Sequence, residues 1–529
     1  MAGPNSESHD MGQSMTLPET TPVIVGVGQF VERIDSAGYR GLGFADLAAH
    51  AVRAALSDAG SAGDITPLIK AVGSIRTFEE SGAMQVPFGR ADHLALAVCR
   101  RLNIKPAVAI LEKGGGQSPL ALLSDLGSRI AAGDVPAALM FGSEAISTVR
   151  HLQHKGETRD WSEHDDPAAD GIEWIDKGLG FEGTLSATSI AHGIRAPVTA
   201  YALCENARRA RLGLSRQDYA ARMGELFAPF TEVAAGNPYS AAAVQPMSPK
   251  EIVEVSSRNR LIAAPYPLKL VSRDQVNQAA AVLVMSAKAA REAGIPEDRW
   301  VYLHGAALTS EREILERPDI GAYPAANAAI AWALDTAEAT PDGIDFFDFY
   351  SCFPAPVFNA AIDGLGLSSD DPRKLTLTGG LPYFGGAGNN YSTHALATMV
   401  ERLRGKPGSK GLVGMNGGFQ SKYGACVLST GPRAWPGCET RSVQQMLDAA
   451  PRATLAPVMQ GRGHIETYTV VCGKTGPEQA IVIGAMATGD RFIAQSRSPE
   501  VLAAMLANDP LGHAVTFTAG TKNSEFALS

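Results

Sequence analysis

The chain has 529 residues, 45% of them hydrophobic and 19% charged, with a net charge of −9. That length allows large buried cores and two or three domains, and the composition is that of a soluble globular protein. The acidic balance, with no Lys/Arg cluster, argues against nucleic acid as a partner but permits a local site for an anionic substrate.

Residues 1–20 are rich in Ser, Gly, Pro and Glu and lack an apolar h-region, so they read as a disordered leader rather than a signal peptide. No apolar run reaches the roughly 18 residues of a membrane span. Six cysteines (Cys99, Cys204, Cys352, Cys426, Cys438, Cys472) are scattered without a C-x-x-C pair, giving no zinc or disulfide pattern. They read as buried free thiols in a reducing cytoplasm, and no metal is expected.

Residues 22–29 read as a buried strand and 43–59 as an amphipathic helix; 71–75 is a second strand and 94–102 a second helix. Residues 106–111 form a third strand that runs into a glycine turn, Glu112-Lys-Gly-Gly-Gly-Gln-Ser-Pro119. A helix over 118–132 and a strand over 137–141 close the unit. Strands alternating with helices at this spacing predict a layered α/β architecture. From about 151 to 240 the sequence becomes charged and irregular, then helical at 198–211 and 216–227, which suggests an insertion packed on one face of the core. A strand at 279–285 completes a first half over 21–295.

The second half, 296–433, repeats the plan: strand 301–307, helix 327–338 and strand 346–350. A second glycine turn follows, Gly379-Gly-Leu-Pro-Tyr-Phe-Gly-Gly-Ala-Gly-Asn-Asn-Tyr391, then a helix at 393–403 and closing strands at 411–414 and 425–428. Each turn is expected to follow a strand-like run and to open a helix. That order aims backbone N–H groups and a helix N-terminus at one point, favouring an anion, a thiolate or a developing oxyanion. Residues 434–451 read as a linker. The β-like segments within 452–529 predict a small barrel of about 75 residues.

Several segments together resemble the thiolase superfamily over residues 21 to 433. They are Ala131-Ala-Gly-Asp134 with Gly142-Ser-Glu-Ala145, His192-Gly-Ile-Arg-Ala-Pro197 with Tyr201-Ala-Leu203, and Ala234-Ala-Gly-Asn-Pro-Tyr239. Pro265-Tyr-Pro-Leu-Lys269 and Val276-Asn-Gln-Ala-Ala280 are similar to the sterol-carrier-type branch. The last module, with 461–471 and 489–494, resembles the extra domain of the thiolase-like protein type 1 family. It is also similar to the OB-fold partners of thiolase-like steroid side-chain aldolases, without their zinc ribbon. The resemblance implies a duplicated five-layer α-β-α-β-α core, an inserted loop domain at about 151–240 and a C-terminal OB-like β-barrel.

The sequence departs from that family where the chemistry sits. Gly115, within about one residue, holds the place of the nucleophilic Cys, whose thiol a helix N-terminus would activate. Gly385-Gly386-Ala387 replaces Gly-His-Pro, and Gly414 aligns with the proton-shuttling Cys. Tyr350 stands where the family has an oxyanion-binding Asn or His. Unmodified thiolytic chemistry is therefore not expected.

The candidates that remain each carry a bland alternative. Tyr350, at a strand end, could donate to an enolate or take a β-hydroxyl proton, or be a hydrogen-bonded core tyrosine. Cys352, two residues on, could be a relocated nucleophile or structural. His394, at the start of a helix, could be a neutral base or a packing residue. Gly115, Gly116 and Gly386 would supply oxyanion donors. Asn389 lines the second turn, though asparagine in such turns commonly just tolerates left-handed backbone, and the resemblance implies that Tyr423 faces where the active site closes.

The resemblance implies an acyl-CoA enzyme that makes or breaks a C–C bond without a cysteine nucleophile, best matched by aldol-type cleavage of a β-hydroxyacyl-CoA. Two alternatives stay open: an acetyl-CoA acetyltransferase with Cys352 or Cys426 displaced into the nucleophile role, and a non-catalytic acyl-CoA or lipid binder. A CoA thioester would be the substrate, with no covalently bound cofactor. No nucleic acid and no membrane span are expected, and the chain is expected to be a cytoplasmic monomer or homodimer.

Overall fold

A computed structural model describes residues 17–528. Most of the expected leader therefore lies outside the described residues. Residues 17–20 lead into the core, where the Glu19 carbonyl accepts from the Lys288 N–H at 2.9 Å.

Two sheets carry the core. The first has six strands in the order Pro22–Val31, Gln278–Ser286, Ala137–Glu144, Ile69–Ser74, Val108–Leu111 and Glu173–Asp176. The first three pair antiparallel and the rest parallel. The second has four, in the order Phe346–Phe349, Lys410–Gly417, Lys422–Ser429 and Tyr302–Ser310. Strands such as Ala137–Glu144 are buried at every position, the continuous apolar run required where both faces of a sheet are covered.

The helices Ser118–Ala132 and Tyr391–Arg404, each opened by a glycine turn, lie between the sheets. Leu122, Leu126, Leu396 and Met399 share one buried cluster with strand residues such as Met140, Val282, Val413 and Cys426. Helices Phe44–Asp58 and Leu94–Leu102 cover the outer face of the first sheet, and Pro324–Thr336 covers that of the second. This is the five-layer arrangement. Gly26 and Gly28 allow it on the first sheet, because a Cβ on either would strike the carbonyls of Ala55 or Ala51 in the helix above.

The insertion differs in detail from its sequence reading. Helix Arg216–Gly236 runs through Pro229, well past the expected end at 227. The charged stretch before it holds the strand Glu173–Asp176, which the sequence did not suggest. It pairs parallel with Val108–Leu111 and becomes the edge strand of the sheet. Ion pairs hold it there: Arg76 with Asp176, and Lys177 with Glu112 at 2.7 Å and Asp125 at 2.8 Å.

The stretch expected as a linker contains the helix Ser442–Ala449. Beyond it, Gly461–Cys472, Pro477–Met486, Arg491–Ser496, Ser524–Leu528 and Ala514–Ala519 close into a five-stranded barrel, the last strand pairing back to the first. The barrel is sewn to the insertion and to the segment after it. Asn206 donates to the Tyr468 carbonyl at 2.9 Å, Thr469 to the Ala264 carbonyl at 2.9 Å, and Arg209 pairs with Asp509 at 2.6 Å. Among the described residues no helix is long and apolar enough to cross a membrane.

Candidate active site

The first turn is best described by where its N–H groups go. Strand Val108–Leu111 delivers the chain to Glu112, whose carboxylate accepts from the Lys113 N–H at 3.0 Å. The Gly114 N–H donates to the Leu179 carbonyl at 3.1 Å and the Gly115 N–H to Asn389 Oδ1 at 2.8 Å. Gly115 has φ +131°, which suits glycine. The N–H groups of Gly116 and Gln117 donate to nothing among the described residues. They open the 15-residue helix Ser118–Ala132, which has no side-chain cap. Two free donors at a helix N-terminus favour partial negative charge.

Tyr350 stands over this point. Its strand ends at Phe349, and the Tyr350 N–H continues the ladder by donating to the Gly414 carbonyl at 3.0 Å. The ring packs edge-on to Tyr391 at 5.2 Å. The hydroxyl has no hydrogen-bond partner among the described residues and is not among their fully enclosed polar atoms. Burial, and then the neighbouring Cys352, raise its pKa well above the ordinary phenol value. Tyr350 is thus held neutral, a donor rather than a base.

Cys352 is buried, and its thiol is pushed up to about 12. Burial is the dominant cause; Tyr201 and Asn416 oppose it weakly. A thiol so disposed is a poor nucleophile. Asn416 organises this side of the site. Its amide donates to Tyr201 Oη at 2.6 Å and to Cys352 Sγ at 3.6 Å, while its Oδ1 accepts from Tyr323 Oη at 3.1 Å.

The second turn is built differently. No strand precedes it directly, contrary to the sequence expectation. Instead the buried carboxylate of Asp348 accepts from Leu377 N (2.8 Å), Thr378 N (3.0 Å), Thr378 Oγ1 (3.0 Å) and Thr376 Oγ1 (3.1 Å). The Gly386 N–H is taken by the Arg273 carbonyl at 2.7 Å, and the Gly388 N–H by the Gly386 carbonyl at 2.7 Å. Gly386 therefore offers no free N–H donor. Asn389 uses its whole amide to tie the turns together: Oδ1 accepts from Gly115, and Nδ2 donates to the Arg76 carbonyl at 2.7 Å.

His394 lies inside the helix Tyr391–Arg404 rather than at its mouth. Nδ1 pairs with Gln29 Oε1 on the first sheet at 2.8 Å, and the ring packs on Phe384. It is fully enclosed, and burial lowers its pKa to about 3. Its contacts are those of a packing residue. Glu79, Arg90 and Trp161 line a separate cavity of about 170 Å³.

At the glycines where the resemblance implies side chains, within about one residue at the first turn, neighbours fill the space. A Cβ on Gly116 would overlap the Asn416 carbonyl and lie 2.5 Å from Cζ of Tyr350. One on Gly386 would overlap Ser272 Oγ and sit 3.0 Å from the Arg273 carbonyl oxygen. One on Gly414 would overlap the enclosed Tyr423 hydroxyl. The three glycines are thus packing requirements.

The structure therefore gathers Tyr350, Gly115, Gly116 and Asn389 at the first turn, joins Cys352 to it through Asn416, places Tyr423 against Gly414 and Tyr323, and sets His394 apart. Sequence reasoning missed Gln117, Asn416 and Asp348. Gln117 and Asn416 carried a weak signal in standing beside the glycines of their turns.

Residues 442–521 match the family model described as the thiolase-like protein type 1 additional C-terminal domain. No curated protein sequence matches the chain. Among solved structures, a monomeric SCP2-thiolase-like protein type 1 from Mycobacterium smegmatis is 40% identical, covering 97% of this chain and 100% of its own, with a TM-score of 0.82. The Ltp2–ChsH2(DUF35) aldolase shares the fold at 17% identity, covering 78% of this chain and 98% of its own, with a TM-score of 0.53. The dimeric peroxisomal thiolase of Saccharomyces cerevisiae does so at 15%, covering 78% and 98%, also with a TM-score of 0.53. With a 40% identical relative matched over nearly its whole length, the chain belongs to the SCP2-thiolase-like protein type 1 family.

Proposed function

We propose that this chain binds an acyl-CoA thioester with its carbonyl at the N–H groups of Gly116 and Gln117, and breaks the C–C bond beside it without a covalent intermediate. Aldol-type cleavage of a β-hydroxyacyl-CoA is the reaction that suits these groups. The Cα–Cβ bond breaks, the β-hydroxyl loses its proton to water, and the electrons settle on the thioester oxygen as an enolate. That enolate takes a proton at Cα, leaving a shorter acyl-CoA and an aldehyde or ketone. Free N–H groups and a neutral tyrosine hydroxyl stabilise such an oxyanion as it forms.

The observation that carries this reading is the Tyr350 hydroxyl, unpaired among the described residues, on a ring packed against Gly116. A displaced-cysteine acyltransferase fits less well, since burial raises both Cys352 and Cys426. The filled positions at Gly116, Gly386 and Gly414 favour a second reading, a binder of acyl-CoA without turnover. The relative from M. smegmatis is monomeric, which supports a monomer here. The barrel would then stand in for a separate partner subunit.

Incubation with β-hydroxyacyl-CoAs, scored by mass spectrometry for aldehyde and shortened thioester, tests the reading. Tyr350→Phe is expected to lower the rate by about 10²-fold or more, the scale of a positioned proton donor. Full activity in that variant sinks the aldolase assignment; calorimetric binding without products supports the carrier.

A further inference from the structure

Gln117 is the residue at the first turn whose polar groups are least accounted for. It is 9% exposed, and its Oε1 is enclosed without a partner among the described residues. Its own N–H is one of the two free donors. The carboxamide folds back over the turn. A Cβ on Gly115 would lie 2.9 Å from Gln117 Nε2, and one on Gly417 would overlap Gln117 Oε1 while lying 2.8 Å from the Gly116 nitrogen. Glycine at 115 and 417 thus leaves room for this amide, and its acceptor stands beside the Gly116 donor.

The chemistry of these groups is complementary. Gly116 N–H, Gln117 N–H and Tyr350 Oη–H all donate, and they suit a carbonyl oxygen. Gln117 Oε1 only accepts, so it needs a hydroxyl or N–H from whatever binds. A ligand lacking one leaves a buried acceptor unpaired, which costs binding free energy and so discriminates between ligands. A hydroxyl two carbons from a carbonyl presents both functions side by side.

We infer that Gln117 is a specificity residue that accepts a hydrogen bond from the β-hydroxyl of an acyl thioester, selecting β-hydroxyacyl over saturated and β-keto thioesters. The inference rests on the acyl-CoA reading above and deepens it. A ketone at the β-carbon has no donor to offer, and a methylene has none either. The residue acts by binding; no proton passes through it.

The test is calorimetric titration of the full chain with 3-hydroxybutyryl-CoA, butyryl-CoA and 3-oxobutyryl-CoA. The wild type is expected to bind the hydroxy compound at least tenfold more tightly than the other two. Gln117→Met should erase that preference, and Gln117→Glu, which keeps an acceptor, should retain it. A purely structural role would lower all three affinities together, and that outcome overturns the proposal. Equal wild-type binding of the three thioesters overturns it as well, while leaving the acyl-CoA reading intact. Binding of none of them overturns both. If Gln117→Met does not fold, the wild-type preference and its retention in Gln117→Glu decide the matter.

Discussion

The two glycine turns look alike in sequence and do opposite things. The first leaves the N–H groups of Gly116 and Gln117 free at the start of a 15-residue helix. The second pairs four of its five glycine N–H groups: Gly386 on Arg273, Gly388 on Gly386, Gly379 on Thr376 Oγ1 and Gly380 on Thr378 Oγ1. The first hangs from a strand; the second hangs from one carboxylate, Asp348. A glycine-rich strand-to-helix turn is an anion site only where the protein has not already supplied the acceptors. In this chain one turn has become the open cradle and the other its support.

Asp348 offers the largest test of that contrast. In Asp348→Ala the N–H groups of Leu377 and Thr378 lose a buried acceptor, along with the hydroxyls of Thr376 and Thr378. Each unmet buried group costs about 1–3 kcal/mol, and since the two hydroxyls can still pair with each other, the two N–H groups set an expected loss of about 2–6 kcal/mol in urea denaturation. Hydrogen exchange should quicken across 375–391 while the paired N–H groups of Glu112, Gly114 and Ser118 keep their protection. Equal loss of protection in both turns would dissolve the distinction between cradle and support.

Asn389 joins the two turns, and its removal should separate their roles. Asn389→Ala leaves the Gly115 N–H and the Arg76 carbonyl unpaired, at an expected cost of about 2 kcal/mol in thermal or chemical unfolding. If the amide is a clamp, stability falls and the ratio of affinities among acyl thioesters is unchanged. A changed ratio with unchanged stability would instead make Asn389 a ligand-contacting residue.

Much of the fold was legible because it is written in local patterns. Apolar strands, the helices between them and the glycine turns carry it, and the β-like run after 452 foretold a barrel that closes with five strands. The strand Glu173–Asp176 was not legible. It is four residues of mixed polarity, held by Arg76 and Glu112, which lie about a hundred and about sixty residues earlier in the chain. The site was half legible for the same reason. Tyr350 could be placed by its motif, but the burial that raises its pKa and disfavours a base role is not given by sequence. Asn389 drew notice as a turn former, and its clamp role spans 274 residues to Gly115. Gln117 passed unnoticed because its meaning lies in unfilled hydrogen-bonding capacity, a property of the assembled turn.

His394 gives the smallest effect, and one that depends on pH. Its ring is enclosed between the second turn's helix and Gln29, and burial holds its pKa near 3 against an ordinary 6.5. The folded protein therefore declines a proton that the unfolded chain accepts below about pH 6.5. Stability from this residue is full above pH 6.5 and is lost progressively as pH falls towards 3. By pH 5 the loss is about 2 kcal/mol, from 1.5 pH units at 1.36 kcal/mol each. His394→Gln removes the titration, so the fall in unfolding free energy between pH 7 and 5 should be about 2 kcal/mol smaller than in the wild type. The pH-dependent difference is the readout, because packing lost on substitution is the same at both pH values. The helix of the first turn, Ser118–Ala132, contains no histidine, so this acid sensitivity belongs to the supporting turn. An unchanged pH slope in His394→Gln would place the proton uptake elsewhere and remove this distinction between the two halves.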